Sequence, residues 1–96
     1  MKERTTEMAK KTIFVVRWMS TYRRETRSGV LGQYGYSSRP LARLAMRGDI
    51  KQVKEYWEGD GFNAKSFFHC DYGEVWTEGT HLHNRCQWWV EEIEII

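Results

Sequence analysis

His69-Cys70 is followed downstream by the run His81-x-His83-x-x-Cys86. Thiols and imidazoles are the ligand types of a tetrahedral zinc site. The two histidines of the run would share one strand face, and Cys70 would oppose Cys86 across a hairpin. Paired Cys-x-x-Cys knuckles are absent, and a small buried Cys beside surface His is the commoner arrangement. No metal is therefore expected, and Cys70, His81, His83 and Cys86 are the residues that would hold one. Glu78 beside His81 and His83, and Asp71 beside His69, also offer acid and base groups for proton transfer. No nucleophile elbow, phosphate-cradling glycine loop or carboxylate pair accompanies them. The expectation is a chain with no catalytic activity and no cofactor.

A denser constellation lies upstream, where Arg17, Arg23, Arg24, Arg27 and Arg39 are interleaved with Trp18, Tyr22, Tyr34 and Tyr36. Guanidinium forks suit phosphates and carboxylates, and aromatic faces suit unstacked bases. Trp, Tyr and Arg are equally the residues that dominate protein–protein hot spots. A solvated basic loop with a few rings turned into the core is the third reading. The expected binding surface comprises Trp18, Tyr22, Arg23, Arg24, Arg27, Tyr34, Tyr36 and Arg39.

Charge sharpens this reading. Residues 1–50 hold 11 Lys+Arg against 4 Asp+Glu, a net of +7, and residues 51–96 hold 4 against 9, a net of −5. The overall +2 thus predicts a dipolar molecule with one end suited to anionic partners. The acidic terminal run EEIEII either pairs with the basic half inside the molecule or mimics nucleic-acid charge toward a host protein, and a solvated face is the plainer account.

The elements that must carry these residues belong to one small domain. Ninety-six residues with 41% hydrophobic content support one core. Aromatics at 15%, including five Trp, are high; some of these rings must fill the core, and Trp and Tyr are enriched at interfaces, so not all are expected in the core. No apolar run approaches the ~18 residues of a membrane span. The opening MKERTTEMAKK lacks the apolar stretch of a signal peptide, so residues 1–10 are expected to be a flexible polar lead-in and 11–96 the domain. Two Cys without export signals suggest reduced thiols and a cytoplasmic protein.

Lys10 to Met19 reads as a central strand, with Ile13/Val15 and Phe14/Val16/Trp18 on its two faces. An exposed Arg-rich turn ending at Ser28-Gly29 leads to a second strand, Val30 to Tyr36, weakened by Gly32 and Gly35. Ser37-Ser38-Arg39-Pro40 starts a helix. Leu41, Leu44 and Ala45 form one apolar stripe and Ile50, Val53 and Trp57 another, rotated from the first. A break at Gly48-Asp49 would reconcile them, giving two helices closed by Glu58-Gly59-Asp60-Gly61. Pro40-Leu41, Gly48-Asp49 and Val53-Lys54 make this stretch resemble the helix pair of an ankyrin repeat. No second copy follows, so no function is carried across. Ser66 to Tyr72, Glu74 to Thr77 and Cys86 to Ile96 read as strands separated by Gly73 and EGTHLHN, the last an edge strand guarded by its glutamates. The expected architecture is α+β: a mainly antiparallel sheet of four to five strands with a helical hairpin on one face, in the order β(β)ααβββ.

The function these features imply is a small, non-catalytic macromolecule-binding protein. It would dock on a protein or ribonucleoprotein through the Arg/aromatic surface and inhibit or modulate it, in the style of phage or mobile-element anti-defence inhibitors. The alternative is a single-stranded DNA- or RNA-binding protein using the same residues. No membrane partner is expected.

Overall fold

The computed structural model describes residues 11–79 and 83–95. The lead-in expected at residues 1–10 and the candidate ligand His81 lie outside the described residues. The chain runs β1 (Lys11–Tyr22), β2 (Glu25–Tyr36), α1 (Arg39–Gly59), β3 (Asn63–His69), β4 (Tyr72–Glu78) and β5 (Arg85–Ile95). The strands form one antiparallel sheet in the order β2-β1-β5-β4-β3, with α1 on one face. The α+β class and the antiparallel sheet match the sequence expectation. No helix among the described residues is long and apolar enough to cross a membrane.

The helical hairpin does not form. α1 continues through Gly48-Asp49 as one element, so the likeness to an ankyrin helix pair ends there too. The apolar stripe that docks on the sheet is Ala42, Met46, Ile50, Val53 and Trp57. At 100° per residue these five fall within an arc of about 80°, so no break is required. The apparent conflict came from counting Leu41 and Leu44 as core, whereas both are exposed. Asp49 is no helix cap; its Oδ2 accepts the indole N–H of fully buried Trp88 at 2.8 Å. A buried indole needs such a partner, and that need fixes an acid in mid-helix.

Both ends of α1 follow their sequence signals. The Ser38 hydroxyl accepts the Leu41 N–H at 3.3 Å, and Pro40 sits in the first turn. At the other end Gly61, at φ 95°, donates its N–H to the Glu58 carbonyl, and Phe62 donates to Trp57. This paired arrangement satisfies the terminal carbonyls and needs a left-handed residue at Gly61.

The core lies between α1 and one sheet face, where Val16, Val75, Trp88, Val90 and Ala64 meet the helix stripe. β5, expected at an edge, instead lies between β1 and β4. Its Trp88, Val90 and Cys86 point to α1, while Trp89, Glu91 and Ile93 point to the uncovered face. Gly73 does not separate strands either. It lies within β4, against the side chain of Ile50, and the β3–β4 turn is Cys70-Asp71. In β2 the register against β1 jumps from Leu31 to Tyr36 while β1 advances from Val16 to Phe14. The surplus forms an outward excursion, with Gly32 at φ 83° and Gly35 at φ 81° supplying backbone that L-residues resist.

Candidate functional site at the hairpin end

The β1–β2 hairpin closes where Tyr22 pairs with Glu25, leaving Arg23 and Arg24 as a two-residue turn at φ 52° and 70°. The sequence reading drew this turn too long, from Ser20 to Gly29; Ser28-Gly29 lies inside β2, paired with Met19 and Trp18. Two-residue turns with both φ positive suit the twist of a hairpin, and Asn-Gly is their usual sequence. Two arginines here each carry a left-handed cost of about 1–2 kcal/mol.

Surrounding contacts hold the turn in place. Asn84, only 2% exposed, accepts the Arg23 N–H on Oδ1 at 2.9 Å. The Arg23 guanidinium lies 5.4 Å from the Tyr22 ring centre and 5.2 Å from that of Phe62, and 4.0 Å from the Asp60 carboxylate. Tyr22 stacks on Trp57 at 4.9 Å and 14° and donates its hydroxyl to Asp60. Burial, and then the Asp60 carboxylate, raise its phenol above the ordinary value. Tyr22 and Arg23 therefore anchor the hairpin tip to the end of α1. Arg24 is exposed and makes no hydrogen bond or ion pair among the described residues.

Beside the tip, a cleft of about 680 Å³ opens between the hairpin and α1. The Trp18 indole forms its floor, lying so flat on Gly29 that a Cβ there would stand 2.9 Å from the ring. Gln52, Val53 and Tyr56 form the helix wall, and Arg27, bonded to Glu25 at 3.2 Å, forms the opposite rim. Cys86 lies at the bottom, and burial pushes its thiol up to about 12. It is a core group with no thiolate character.

The structure divides the sequence-predicted residues. Trp18, Tyr22, Arg23, Arg24 and Arg27 converge on the hairpin end. Tyr34, Tyr36 and Arg39 do not join them. Tyr36 pairs with Phe14, eight residues along β1 from Tyr22, or about 26 Å at the strand rise. Tyr36 packs on the core, and Tyr34 stands 82% exposed on the β2 excursion. Arg39 is structural: it stacks 4.9 Å over Phe14 and bonds both Asp71 and Glu92, while Arg43 bonds Asp71 at 2.7 Å. Asn84, Gln52 and Tyr56 were missed. Tyr56 alone left a signal, as a large ring off the apolar stripe of its helix.

The proposed thiol pairing across a hairpin does not occur, because Val75 opposes Cys86 while Cys70 sits in the β3–β4 turn. No group of three or more His, Cys, Asp and Glu among the described residues is placed to hold a metal. His83 is exposed ahead of β5, and Asp71, the candidate partner of His69, is held by two arginines. The charge split also resolves inward in part. Arg17–Glu91, Arg23–Asp60, Arg39–Asp71, Arg39–Glu92 and Arg43–Asp71 all join the basic half to the acidic one. Compared with known proteins, the chain is matched by no family model, by no curated protein and by no solved structure.

Proposed function

We propose that this chain is a non-catalytic binding protein that docks on a protein partner through its hairpin end and, by occupying that partner, inhibits or modulates it. Arg24 and Arg27 are the charged anchors, and the cleft between Trp18 and Tyr56 receives a partner side chain. The observation that carries this reading is the Arg23-Arg24 turn. Strained backbone persists where surrounding contacts over-determine it, and such strain clusters at sites of recognition. Here it serves to aim a guanidinium that has no role in folding. A protein partner is favoured over a nucleic acid by the acids around the cleft. Glu25 and Asp60 flank the arginines, and Asp49 lines the inner wall. A phosphate backbone would meet these carboxylates at close range, whereas a protein surface can match mixed charge.

The test is capture of partners from a lysate of the source cells, with and without nuclease, comparing the wild-type chain with the Arg24→Glu variant. The same protein should be retained after nuclease treatment and lost with Arg24→Glu, at unchanged melting temperature. Loss of the partner on nuclease treatment would shift the assignment to nucleic acid. Full retention by Arg24→Glu would place the interface elsewhere.

A further inference from the structure

The two edges of the sheet are unlike. On β2 the outer edge is interrupted by the excursion at residues 32–35 and carries the Glu25–Arg27 pair. β3, at the other edge, runs straight for seven residues without proline or bulge, and its outer backbone groups face no strand. Its ring-bearing residues sit in the open: Phe67 is 52% and Phe68 48% exposed. Regular edge strands with exposed apolar side chains are templates for another strand unless a protein covers or charges them.

The two faces beside this edge differ in chemistry. On the helix side, the Arg47 guanidinium lies 4.8 Å over the Phe68 ring, and Lys51 follows one helical turn later. Neither makes an ion pair among the described residues. On the uncovered face, Phe67 lines a shallow cleft of about 550 Å³ with Trp76 and His83 at its sides. A strand added to β3 would alternate its side chains between these two environments. One set would meet the unneutralised Arg47 and Lys51, and the other would meet Phe67 and Trp76, flanked by Lys65 and the Glu74–Arg85 ion pair.

From this geometry we infer that β3 is a second docking edge, which takes an extended segment of another protein alternating acidic and apolar side chains. Main-chain hydrogen bonds to β3 would supply affinity, and the two flanking environments would set the register. Charge selects against the obvious rival, a second copy paired β3 to β3. That pairing would bring two sets of Arg47 and Lys51 toward one another across the dyad, with Lys65 of each copy on the opposite face. An acidic set of side chains on the helix side would instead neutralise Arg47 and Lys51.

The probe is an acetylated, amidated heptapeptide alternating Glu and Val, titrated into ¹⁵N-labelled protein, with a Lys/Val peptide as control. The Glu/Val peptide should shift the amides of Asn63–His69, together with those of Arg47 and Lys51, in a saturable manner. The Lys/Val peptide should leave them unmoved. Arg47→Glu/Lys51→Glu should weaken binding at least tenfold while preserving the spectrum of the folded chain. Arg24→Glu should bind the peptide as the wild type does, which separates this edge from the hairpin surface. Shifts confined to β2 or to the hairpin cleft, equal binding of both peptides, or no saturable shift would overturn the proposal. So would concentration-dependent self-association that protects β3 amides without peptide, since the occupant would then be a second copy.

Discussion

Replacing Arg24 by Gly should make the fold more stable and the protein less functional. At φ 70°, with no hydrogen bond or ion pair among the described residues, the Arg24 side chain contributes strain and no compensating polar interaction. Relieving a left-handed L-residue returns about 1–2 kcal/mol. Glycine gives part of this back, because the unfolded chain gains about 0.5–1 kcal/mol of conformational entropy. The net gain is about 0.5–1 kcal/mol, or roughly 2–8 °C in melting temperature for a domain of this size. Arg24→Ala is the control, since it removes the guanidinium but keeps the Cβ that causes the strain. Its stability should stay within about 0.5 kcal/mol of the wild type, as surface substitutions usually do. Calorimetry and urea titration with an unchanged m value measure both variants, and both should lose the partner captured by the wild type. Equal stability changes in Arg24→Gly and Arg24→Ala would show that the backbone is not the source of the cost. A destabilised Arg24→Gly would show that the side chain supports the fold, and the recognition argument would fall with it.

Gly48→Ala, in the exposed middle of α1 with open space around the added methyl group, should stabilise the fold by about 1 kcal/mol in urea denaturation. Asp49→Ala should cost about 1–3 kcal/mol, because it leaves the buried Trp88 indole without an acceptor. Iodoacetamide at pH 8 should modify exposed Cys70 in the native protein and reach Cys86 only after unfolding, as peptide mapping would show. Alkali should destabilise the fold from about pH 9 upward. Cys86 and Tyr22 both have folded pKa values above their ordinary 9.0 and 10.0, so their contribution is complete below those values and is lost as pH rises through the raised ones. The urea midpoint should fall over that range, and by less in Tyr22→Phe.

Much of the scaffold was legible because local chemistry and global fold agree in it. The apolar run of β1, the Ser38 cap, the Gly61 terminus and the strand content of the C-terminal half all follow from short-range signals. The misreadings have physical causes. Leu41 and Leu44 are exposed despite their type, so the helix stripe was assigned to the wrong residues. The Arg-Arg turn defeats turn chemistry, because tertiary contacts from Asn84, Phe62 and Asp60 impose a conformation these residues resist alone. Within the site, the sequence revealed which residue types gather but not which end of a strand they occupy. Tyr36 and Arg39 lie close to the others in sequence, yet β2 carries them back along the sheet.

The position of β5 beside β1 has a consequence for how the chain comes into being. Synthesis delivers β1 first and β5 last, yet these two form the central ladder, with contacts such as Arg17–Glu91 spanning 74 positions. Until the final strand emerges from the ribosome, the inner border of β1 has no partner, and the α1 stripe lacks Trp88 and Val90 to rest on. Folding of this sheet must therefore wait for β5 and proceed late, with the slower kinetics of distant pairing. During that wait Arg17 stands without Glu91 and Arg39 without Glu92, so the basic half of the nascent chain is only partly neutralised.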